Sequence, residues 1–418
     1  MKILYLSSDT GIPVLGGKGG AVHIREMVAA FDRAGHQVVV VAPSDYKSAG
    51  EPQARLAAEL VLIPPSPAAH SVRSCLGAYL SALDVPDNLA REVRRILYEV
   101  ELGDALAARF AADPPDFIYC RAALFASAAL ALAAASGAPL LVELNAPLAA
   151  EQGSYRNGVL GEIAARAEAR LLKGADAVLV VSEALVEHAR TLGVAAERLH
   201  LFPNGIDATR FRPAPADAGV RARFGIGAGP VLGFVGGLKP WHGVETLPEL
   251  LQTLSATVPE VQLVIVGDGD LRPQLEAELV RRGVRNRTVF TGAVPHDEIP
   301  DLVRQFALAL APYPRLDHAF YFSPLKLFEY MACGVPVAAP SAGQIPNVID
   351  DGVTGLLYEP GNAAALAECC TRLLGDSGLA RRIGEAGARH VHAQFTWDHN
   401  ARRAADLALA ARAGRRTI

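Results

Sequence analysis

Residues 321–334, YFSPLKLFEYMACG, place a lysine at a helix start, where a cation is unfavourable. Ser323 and Pro324 predict an N-cap and a first helical residue, which puts Lys326 in the first turn. A capping box would have Glu or Gln there, and a cation opposes the helix dipole by roughly 0.3–1 kcal/mol. A bound phosphate would remove this conflict, because the free N–H groups of the first turn and Lys326 would all donate to it.

Glu329 lies three residues after Lys326 and therefore on the same helix face. Its carboxylate can accept hydrogen bonds from two hydroxyl groups, such as those of a ribose. The alternative is an exposed Lys–Glu pair, which would contribute only a few tenths of a kcal/mol. We favour a nucleotide site, and the predicted donor-binding residues of this segment are Tyr321, Phe322, Ser323, Pro324, Leu325 and Glu329.

A second segment with cationic residues, FVGGLKPWHGVETL, connects a predicted strand to a predicted helix. Gly236 and Gly237 allow close approach of the backbone to a ligand, and Lys239 and His242 follow them. Two groups that are cationic, or can become so, suit a diphosphate, whereas an isolated lysine would ordinarily be a solvated surface group. We predict that Lys239 and His242, together with Lys326, bind the diphosphate and act in catalysis.

The segment VIVGDGDLRPQLEAEL contains the acidic pattern Asp268–Gly269–Asp270. Two carboxylates at this spacing could hold a metal ion, but the segment follows a buried strand and opens a helix. We interpret Gly267 and Gly269 as turn glycines of the donor site and Asp270 as the N-cap of the helix. The sequence therefore predicts no metal site.

The first strand is followed by DTGIPVLGGKGGAVHIRE, in which four glycines and a lysine precede a helix. The pattern is neither a Walker loop nor GxGxxG, so it does not indicate a dinucleotide. A flexible turn is the ordinary alternative, although a turn does not need this many glycines. We predict an acceptor or phosphate loop formed by Asp9, Gly17, Lys18, Gly19, Gly20 and His23.

Short apolar runs that alternate with helical stretches must position these segments. Near-continuous Val, Ile and Leu runs separated by helices predict parallel sheets covered on both faces. The first series of runs comprises residues 3–8, 37–43, 60–64, 116–120, 139–145, 177–182 and 198–204. The second series comprises residues 231–237, 262–269, 288–292, 306–313, 335–340 and 354–360. The predicted fold class is α/β, with two Rossmann-like doubly wound domains that face each other across a ligand cleft.

A Pro-, Ala- and Gly-rich segment at residues 211–230 separates the two series and is predicted to be a linker. We therefore place an amino-terminal domain at residues 1–210 and a second domain at residues 211–397. Residues 66–112 add helical material that either shapes a second-substrate pocket or decorates the surface. Residues 122–144 predict a buried helix followed by a strand rather than a membrane span.

The composition is that of a globular protein, with 418 residues, 51% hydrophobic and 20% charged, and a net charge of −4. The absence of a long basic run argues against a nucleic-acid partner. The five cysteines lack metal-ligand spacing and are expected to be buried or free thiols in a reducing compartment. The amino terminus lacks a signal-peptide pattern, so a cytoplasmic location is expected. Arg91, Arg94 and Arg95 could contact a membrane surface peripherally, but a solvated basic face is the simpler interpretation.

Taken together, these segments resemble the retaining glycosyltransferases of family 4, which have the two-domain GT-B fold. The similarity extends along nearly the whole chain and lies in five segments that follow the order of the family. They are VVSEALVEHARTLGVAAERLHLFPNGIDATRF (180–211), VIVGDGDLRPQLE, LFEYMACGVPVAAP, DDGVTGLLYEPGNAAALAECCTRLLGD (350–376) and FTWDHNARR (395–403). In this fold the last segment leads into a helix, here about residues 398–418, that packs back on the first domain. The resemblance implies that residues 1–210 form the acceptor-side domain and residues 211–397 the nucleotide-sugar-binding domain.

The resemblance implies an enzyme that transfers a sugar from a nucleotide-diphosphate-sugar to an acceptor hydroxyl, with retention and without a metal or other cofactor. A hexosyl- or N-acetylhexosaminyl-transferase that uses a UDP-sugar is expected. Glu329 corresponds to the second Glu of the family's E-x7-E motif, which holds the ribose. Tyr321 stands where the first Glu, which touches the transferred sugar, is usually found.

The family's diphosphate-binding Arg and Lys fall at Gly237 and His242, so Lys239 and Lys326 are expected to supply the missing charge. Asn145 occupies a region where many relatives carry an active-site His, and we include it among the catalytic candidates. These departures occur together and indicate a subgroup with an SPLKLFEYMA-type donor motif.

Acceptors compatible with this assignment are a small molecule, a lipid-linked group or a glycan, and nothing in the sequence specifies an oligomeric state. The main alternative is a nucleotide-sugar 2-epimerase on the same fold. An epimerase would need the nucleotide-sugar contacts but no acceptor pocket. The PNGID and FxW segments favour transfer.

Overall fold

The computed structural model describes residues 1–45, 55–155 and 157–415. The chain divides into two compact units, one formed by Met1–Pro203 with Asp398–Ile418 and the other by Asn204–Trp397. Each unit is an α/β domain built on one parallel sheet, as the alternating apolar runs predict.

The first unit contains a seven-stranded sheet whose described pairings are all parallel. Its strands are β1 (Lys2–Ser7), β2 (Gln37–Ala42), β3 (Glu59–Leu62), β4 (Phe117–Arg121), β5 (Leu140–Leu144), β6 (Ala177–Val180) and β7 (Leu199–Leu201). The spatial order is β3-β2-β1-β4-β5-β6-β7, so the direction of winding reverses between β1 and β4. Ligands of open α/β sheets bind at such a switch point.

Helices connect these strands. They are α1 (Gly19–Arg33), α2 (Pro67–Ser81), α3 (Asn88–Arg109), α4 (Ala128–Ser136), α5 (Leu148–Tyr155), α6 (Gly161–Gly174) and α7 (Glu183–Thr191). The predicted helical insertion at residues 66–112 is confirmed as α2 and α3, and the buried helix and strand predicted at residues 122–144 are confirmed as α4 and β5. Gly137 ends α4 in the left-handed region, with φ of 70°, which explains the glycine at that position.

The second unit repeats the plan with six parallel strands in the order β10-β9-β8-β11-β12-β13. The strands are β8 (Val231–Val235), β9 (Gln262–Val266), β10 (Thr288–Gly292), β11 (Leu308–Leu310), β12 (Val337–Pro340) and β13 (Leu356–Tyr358). Its helices are α8 (Ala218–Phe224), α9 (Leu247–Ser255), α10 (Arg272–Arg281), α11 (Ile299–Val303), α12 (Leu325–Ala332), α13 (Ile345–Val348), α14 (Ala363–Gly375) and α15 (Ser377–Gln394). The switch point of this sheet lies between β8 and β11.

Alternate residues of these strands enter two separate apolar clusters. Val264 and Val266 of β9 belong to one cluster, and Leu263 and Ile265 belong to the other. Because successive side chains of a strand point to opposite faces, both faces of the sheet are covered. This is why the strands appear in the sequence as continuous apolar runs rather than alternating ones.

The segment at residues 211–230, predicted to be a linker, is packed within the second unit, to which the predicted domain bounds of 211–397 also assign it. It contains α8, and Phe211 and Ile226 belong to the apolar core of that unit. The unit begins at Asn204, so the predicted boundary after residue 210 falls inside it. Proline, alanine and glycine predicted an open connection, but the two buried apolar residues determine the packing.

The last helix, α16 (Trp397–Arg415), joins the first unit from Asp398 onwards. Arg412 pairs with Asp116 at 2.6 Å, and Arg415 pairs with Asp176 at 2.6 Å. Both aspartates lie just before strands of the sheet, so these ion pairs hold the helix along one edge of the unit. Residues 416–418 of the predicted helix lie outside the described residues.

Candidate functional site

The predicted site residues follow the carboxyl ends of strands in both units. In the second unit, residues 236–242 follow β8 and residues 267–270 follow β9, while α12 comes after β11. In the first unit, the glycine-rich loop follows β1, and Asn145 follows β5. Each group therefore lies at the edge of its sheet where ligands of α/β proteins bind.

Helix α12 begins at Leu325 with Pro324 as its N-cap residue, so the prediction that Ser323 caps the helix is wrong. The Ser323 hydroxyl instead accepts a hydrogen bond from the backbone N–H of Asn204 at 2.9 Å. The Asn204 amide donates in turn to the Ser323 carbonyl at 2.5 Å. Because proline has no capping side chain, the first turn of α12 has no side-chain cap.

Lys326 is buried in this first turn, with 8% of its surface exposed. Its Nζ has no hydrogen-bond partner among the described residues, and it lies 4.1 Å from the ring centre of Phe234 and 5.5 Å from that of Tyr313. A Cβ atom at Gly236 would lie 2.8 Å from Nζ, so glycine is what leaves room for the lysine. Burial lowers the pKa of Lys326 to about 7, although the charge of Glu329 acts to raise it. A buried ammonium without a hydrogen-bond acceptor is costly, and an anion would satisfy it.

Glu329 does not form the exposed ion pair with Lys326 that was the alternative explanation of this segment. It is 6% exposed, and its Oε1 lies 2.7 Å from Nε2 of His296. Its second oxygen, Oε2, has no hydrogen bond to any residue that the structure describes. One carboxylate oxygen therefore remains for a ligand.

His242 does not add a positive charge to the site, contrary to the prediction. Its Nδ1 lies 2.6 Å from the carbonyl oxygen of Gly237, which can only accept, so Nδ1 carries the proton. Burial lowers the pKa of His242 to about 3, and the positive charges of Lys326 and Lys239 act in the same direction. The imidazole is therefore neutral at pH 7, and Nε2 is a hydrogen-bond acceptor.

Lys239 is already paired in this structure, since its Nζ contacts the carboxylate of Asp270. Asp270 therefore does not cap α10, which begins at Arg272 after Leu271. Asp268 accepts a hydrogen bond from the backbone N–H of Gly269 at 2.8 Å. Its other oxygen pairs with Arg272 at 2.9 Å. Both carboxylates of the acidic pattern are thus held by basic side chains.

The glycines of the second unit allow two loops to pack backbone to backbone. A Cβ at Gly267 would lie 2.2 Å from the carbonyl oxygen of Gly236, and a Cβ at Gly269 would lie 2.6 Å from that of Leu238. Gly236 and Gly267 also have φ values of 142° and 134°, which favour glycine. At Gly237, by contrast, the nearest atoms to a Cβ would be 3.9 Å away, an ordinary van der Waals distance, so packing does not require glycine there.

Tyr321 and Phe322 lie in an aromatic cluster before α12. The ring of Tyr321 stacks on His318, with centroids 5.5 Å apart, and contacts Phe322 at 4.5 Å. Phe320 packs edge-to-face against both Phe322 and Tyr313, at 5.2 and 5.0 Å. The aromatic contacts reach Tyr313, beside Lys326, and Leu325 is half-buried at the start of the helix.

The loop after β1 is organised around Gly11. The Asp9 carboxylate accepts a hydrogen bond from the Gly11 N–H at 2.7 Å, and Lys18 Nζ donates to the Gly11 carbonyl at 3.0 Å. Helix α1 begins at Gly19 without a side-chain cap. A Cβ at Gly17 would meet no atom within 4 Å, so this position is open.

A buried carboxylate that the sequence analysis did not select, Glu143, organises the rest of the first-unit site. It is the last residue but one of β5, and its oxygens lie 2.8 Å from His23 Nε2, 2.8 Å from Arg121 Nη1 and 2.5 Å from Asn145 Nδ2. The hydroxyl of Tyr119 donates to it as well. Burial alone would raise the pKa of Glu143, but the charge and hydrogen bond of His23, with Arg121 and Tyr119, hold it well below its ordinary value.

Two groups of predicted residues are therefore brought together, one in each unit. In the second unit, Gly236, His242 and Lys326 are neighbours, and Glu329 lies one turn along α12. In the first unit, Glu143 joins His23 to Asn145. A charged residue inside the apolar run PLLVELN was the signal in the sequence that could have identified Glu143.

Within residues 1–45, 55–155 and 157–415, no group of three or more His, Cys, Asp and Glu side chains is arranged to hold a metal ion. No helix in the same ranges is long and apolar enough to cross a membrane. All five cysteines are free, and of these Cys75 is exposed. Metal independence stays a prediction.

The sequence matches two described protein families in the order in which the units occur. Residues 18–205 match the glycosyl transferase 4-like domain, and residues 229–376 match the glycosyl transferases of group 1. The chain belongs to these glycosyltransferases. The fold is correspondingly GT-B, with two Rossmann-like parallel-sheet domains.

Curated relatives support the family at moderate identity. An α-D-kanosaminyltransferase of Streptomyces kanamyceticus is 30% identical over 62% of this chain and 67% of its own length. A 2-deoxystreptamine glucosyltransferase of the same organism is 33% identical over 53% of this chain and 56% of its own length. A GDP-mannose-dependent mannosyltransferase of Mycobacterium tuberculosis, which acts on a phosphatidylinositol monomannoside, is 33% identical over 57% of this chain and 63% of its own length. These relatives are transferases, which gives the epimerase alternative no support.

Solved structures show the same fold over nearly the whole chain. A sucrose-phosphate synthase from Thermosynechococcus elongatus has a TM-score of 0.71 and 21% identity, covering 97% of this chain and 98% of its own. The Anabaena protein HepE, solved in complex with UDP-glucose, has a TM-score of 0.70 and 20% identity, with the same coverage of both chains. At these identities the likeness establishes the fold alone.

Proposed function

We propose that this protein is a retaining, metal-independent glycosyltransferase that moves a sugar from a nucleotide-diphosphate-sugar to an acceptor hydroxyl. A UDP-sugar is the expected donor. The names of the curated relatives support acceptors that are small cyclitol-type molecules or lipid-linked sugars. The proposal assigns the donor to the second unit and the acceptor to the first.

The observation that carries the proposal is the buried, unpartnered ammonium of Lys326. Nζ is held against Phe234 and Gly236 with no acceptor among the described residues. The same helix start has no side-chain cap, so no side chain accepts from the N–H groups of its first turn. A diphosphate at this point would satisfy the ammonium and the helix terminus at once.

The charge at this position also suits the reaction. Negative charge develops on the diphosphate oxygen as the glycosidic C–O bond breaks, and groups that are already oriented stabilise it most effectively. In our proposal Lys326 and the first turn of α12 supply this stabilisation, and Lys239 contributes after release from Asp270. The neutral His242 contributes an acceptor at Nε2 rather than charge.

The acceptor hydroxyl attacks from the same face as the leaving group, which retains the configuration, and the departing phosphate takes the hydroxyl proton. Glu329 holds the ribose through its free oxygen. Tyr321, at the position of the family's sugar-contacting Glu, marks a subgroup with an SPLKLFEYMA-type motif. We propose that this substitution changes which sugar is recognised.

The test uses the full chain with UDP-glucose, UDP-N-acetylglucosamine and GDP-mannose, and measures nucleoside diphosphate release with a panel of acceptors. Lys326→Ala should lower turnover by roughly 10²–10³ while the protein remains folded. The control is Lys173→Ala, since Lys173 is exposed on α6. Unchanged turnover in Lys326→Ala would refute the assignment, and NMR of the anomeric proton of the product tests retention separately.

A further inference from the structure

The Glu329 carboxylate stands at the end of a chain of polar contacts within the second unit. Asp207 Oδ2 accepts a hydrogen bond from Arg210 Nε at 2.9 Å. Arg210 Nη1 lies 3.5 Å from Nδ1 of His296, and His296 Nε2 lies 2.7 Å from Oε1 of Glu329. The contacts connect residues 207–210, at the end of the PNGIDATR stretch (203–210), to the helix that carries Lys326.

Arg210 fixes which nitrogen of His296 carries the proton. A guanidinium has five N–H donors and no acceptor, so Nδ1 of His296 must be the acceptor of that contact. Nε2 then carries the hydrogen and donates it to Glu329. The ring of Phe211 packs beside the imidazole, with the two ring centroids 5.3 Å apart.

Asp207 keeps Arg210 in place. Its Oδ1 accepts hydrogen bonds from the Thr209 N–H at 2.9 Å and the Thr209 hydroxyl at 2.6 Å. Burial alone would raise the pKa of Asp207, but these hydrogen bonds and Arg210 lower it to about 2. The carboxylate is therefore ionised at neutral pH and keeps its ion pair with Arg210.

As a result, the two oxygens of Glu329 have different roles: Oε1 binds His296, and Oε2 is available to a ligand. A carboxylate rotates about its last side-chain bond unless a partner holds one oxygen. With Oε1 bound to His296, the carboxylate cannot rotate, and Oε2 is held in one orientation in which it can accept hydrogen bonds from hydroxyl groups. A ribose presents two neighbouring hydroxyls to one such acceptor.

We propose that His296 is a positioning residue that orients the Glu329 carboxylate toward the ribose hydroxyls of the donor, and that Arg210 holds His296 in the required tautomer. This inference rests on the proposed function, because it takes Glu329 to be the ribose contact. It adds a specificity-determining residue that lies outside the donor helix and the glycine-rich loops. The chain should therefore discriminate ribonucleotides from deoxyribonucleotides through His296.

The test compares the affinities of UDP and 2′-deoxy-UDP by calorimetry, with GDP and 2′-deoxy-GDP measured in parallel. A hydroxyl bound to a charged acceptor should give a preference of roughly tenfold or more for the ribonucleotide. Two variants form a matched pair. His296→Gln places an amide N–H near the position of Nε2, whereas His296→Asn carries the same amide one methylene short of Glu329.

We expect His296→Gln to retain most of the preference and His296→Asn to reduce it to about twofold or less. The two variants should have the same thermal stability as each other, so a general loss of folding would affect both alike. If the wild type discriminates and His296→Asn discriminates equally well, the positioning role is refuted while the proposed function stands. If the wild type binds neither diphosphate, or binds the ribo and deoxy forms equally, the assignment of Glu329 as the ribose contact fails first.

Discussion

Replacing Lys326 with methionine should make the protein more stable and less active at the same time. Methionine has a similar length and an apolar end, so it can occupy the space beside Phe234 and Gly236 without a charge. A lysine with a structural role would be expected to behave in the opposite way. The variant therefore separates a ligand-binding role from a structural one.

The size of the gain follows from the protonation equilibrium of the side chain. Burial lowers the pKa of Lys326 from its ordinary value of 10.5 to about 7. Each pH unit between these values is worth about 1.4 kcal/mol, so holding the lysine in the fold costs roughly 4 kcal/mol at pH 7. The cation–π contact with Phe234 and relaxation of the fold offset about 2 kcal/mol of this. A net gain of about 2 kcal/mol corresponds to a rise in Tm of roughly 4–8 °C.

The pH dependence gives a second, independent measure. Because the pKa of Lys326 is lower in the folded state than in the unfolded chain, the unfolded chain binds more protons between pH 7 and 10.5. The stability of the wild type should therefore rise with pH in this range. The advantage of Lys326→Met should fall by roughly 3 kcal/mol between pH 7 and pH 9.5, so it should be absent at the higher pH.

Thermal unfolding followed by circular dichroism at pH 7 and pH 9.5 measures both effects, and UDP titration measures the loss of binding. Lys173→Met is the control, because Lys173 is exposed and its replacement should change the free energy of unfolding by no more than about 0.5 kcal/mol. A Lys326→Met protein that unfolds at a lower temperature and still binds UDP normally would refute the reasoning.

Two further predictions concern the surroundings of the two buried charges. Gly236→Ala should weaken UDP binding at least tenfold, because the new Cβ would lie 2.8 Å from Lys326 Nζ and push it aside. In the same titration Gly375→Ala, whose Cβ would meet no atom within 4 Å, should bind UDP as the wild type does. Glu143→Gln should lower stability by about 3–5 kcal/mol in thermal unfolding, because it leaves the largely covered Arg121 without a negatively charged partner. A loss no larger than that of the exposed control Glu162→Gln would contradict this.

The fold was predictable because its signal is repeated along the chain. Each of the thirteen predicted apolar runs overlaps a strand, and continuous rather than alternating runs correctly indicated sheets covered on both faces. Residues 211–230 were predicted to be a linker because their composition favours loops, but they contain α8 and pack into the second unit. Two apolar residues, Phe211 and Ile226, determine its packing. Two positions change the average composition of a twenty-residue segment too little to indicate this.

The site was less predictable because side-chain partners come from distant parts of the chain. The conflict between Lys326 and the helix dipole was visible locally, but its burial against Phe234 was not. The charge of His242 was misjudged for the same reason, since burial and a carbonyl oxygen five residues away determine its protonation. His296 was missed because its partners lie 86 and 33 residues away.

Lys326 and Glu143 show how a buried charge can be interpreted. Glu143 is surrounded by donors, so the fold itself satisfies it, and its depressed pKa records that satisfaction. Lys326 is also buried but has no acceptor among the described residues, and its lowered pKa reflects this lack of a partner for the charge. For a carboxylate a lowered pKa means stabilisation of the charged form, and for an ammonium it means the reverse. The charge that the fold leaves unsatisfied is the one that an anionic ligand can satisfy, and this is the reason for our proposal that the donor diphosphate binds at Lys326.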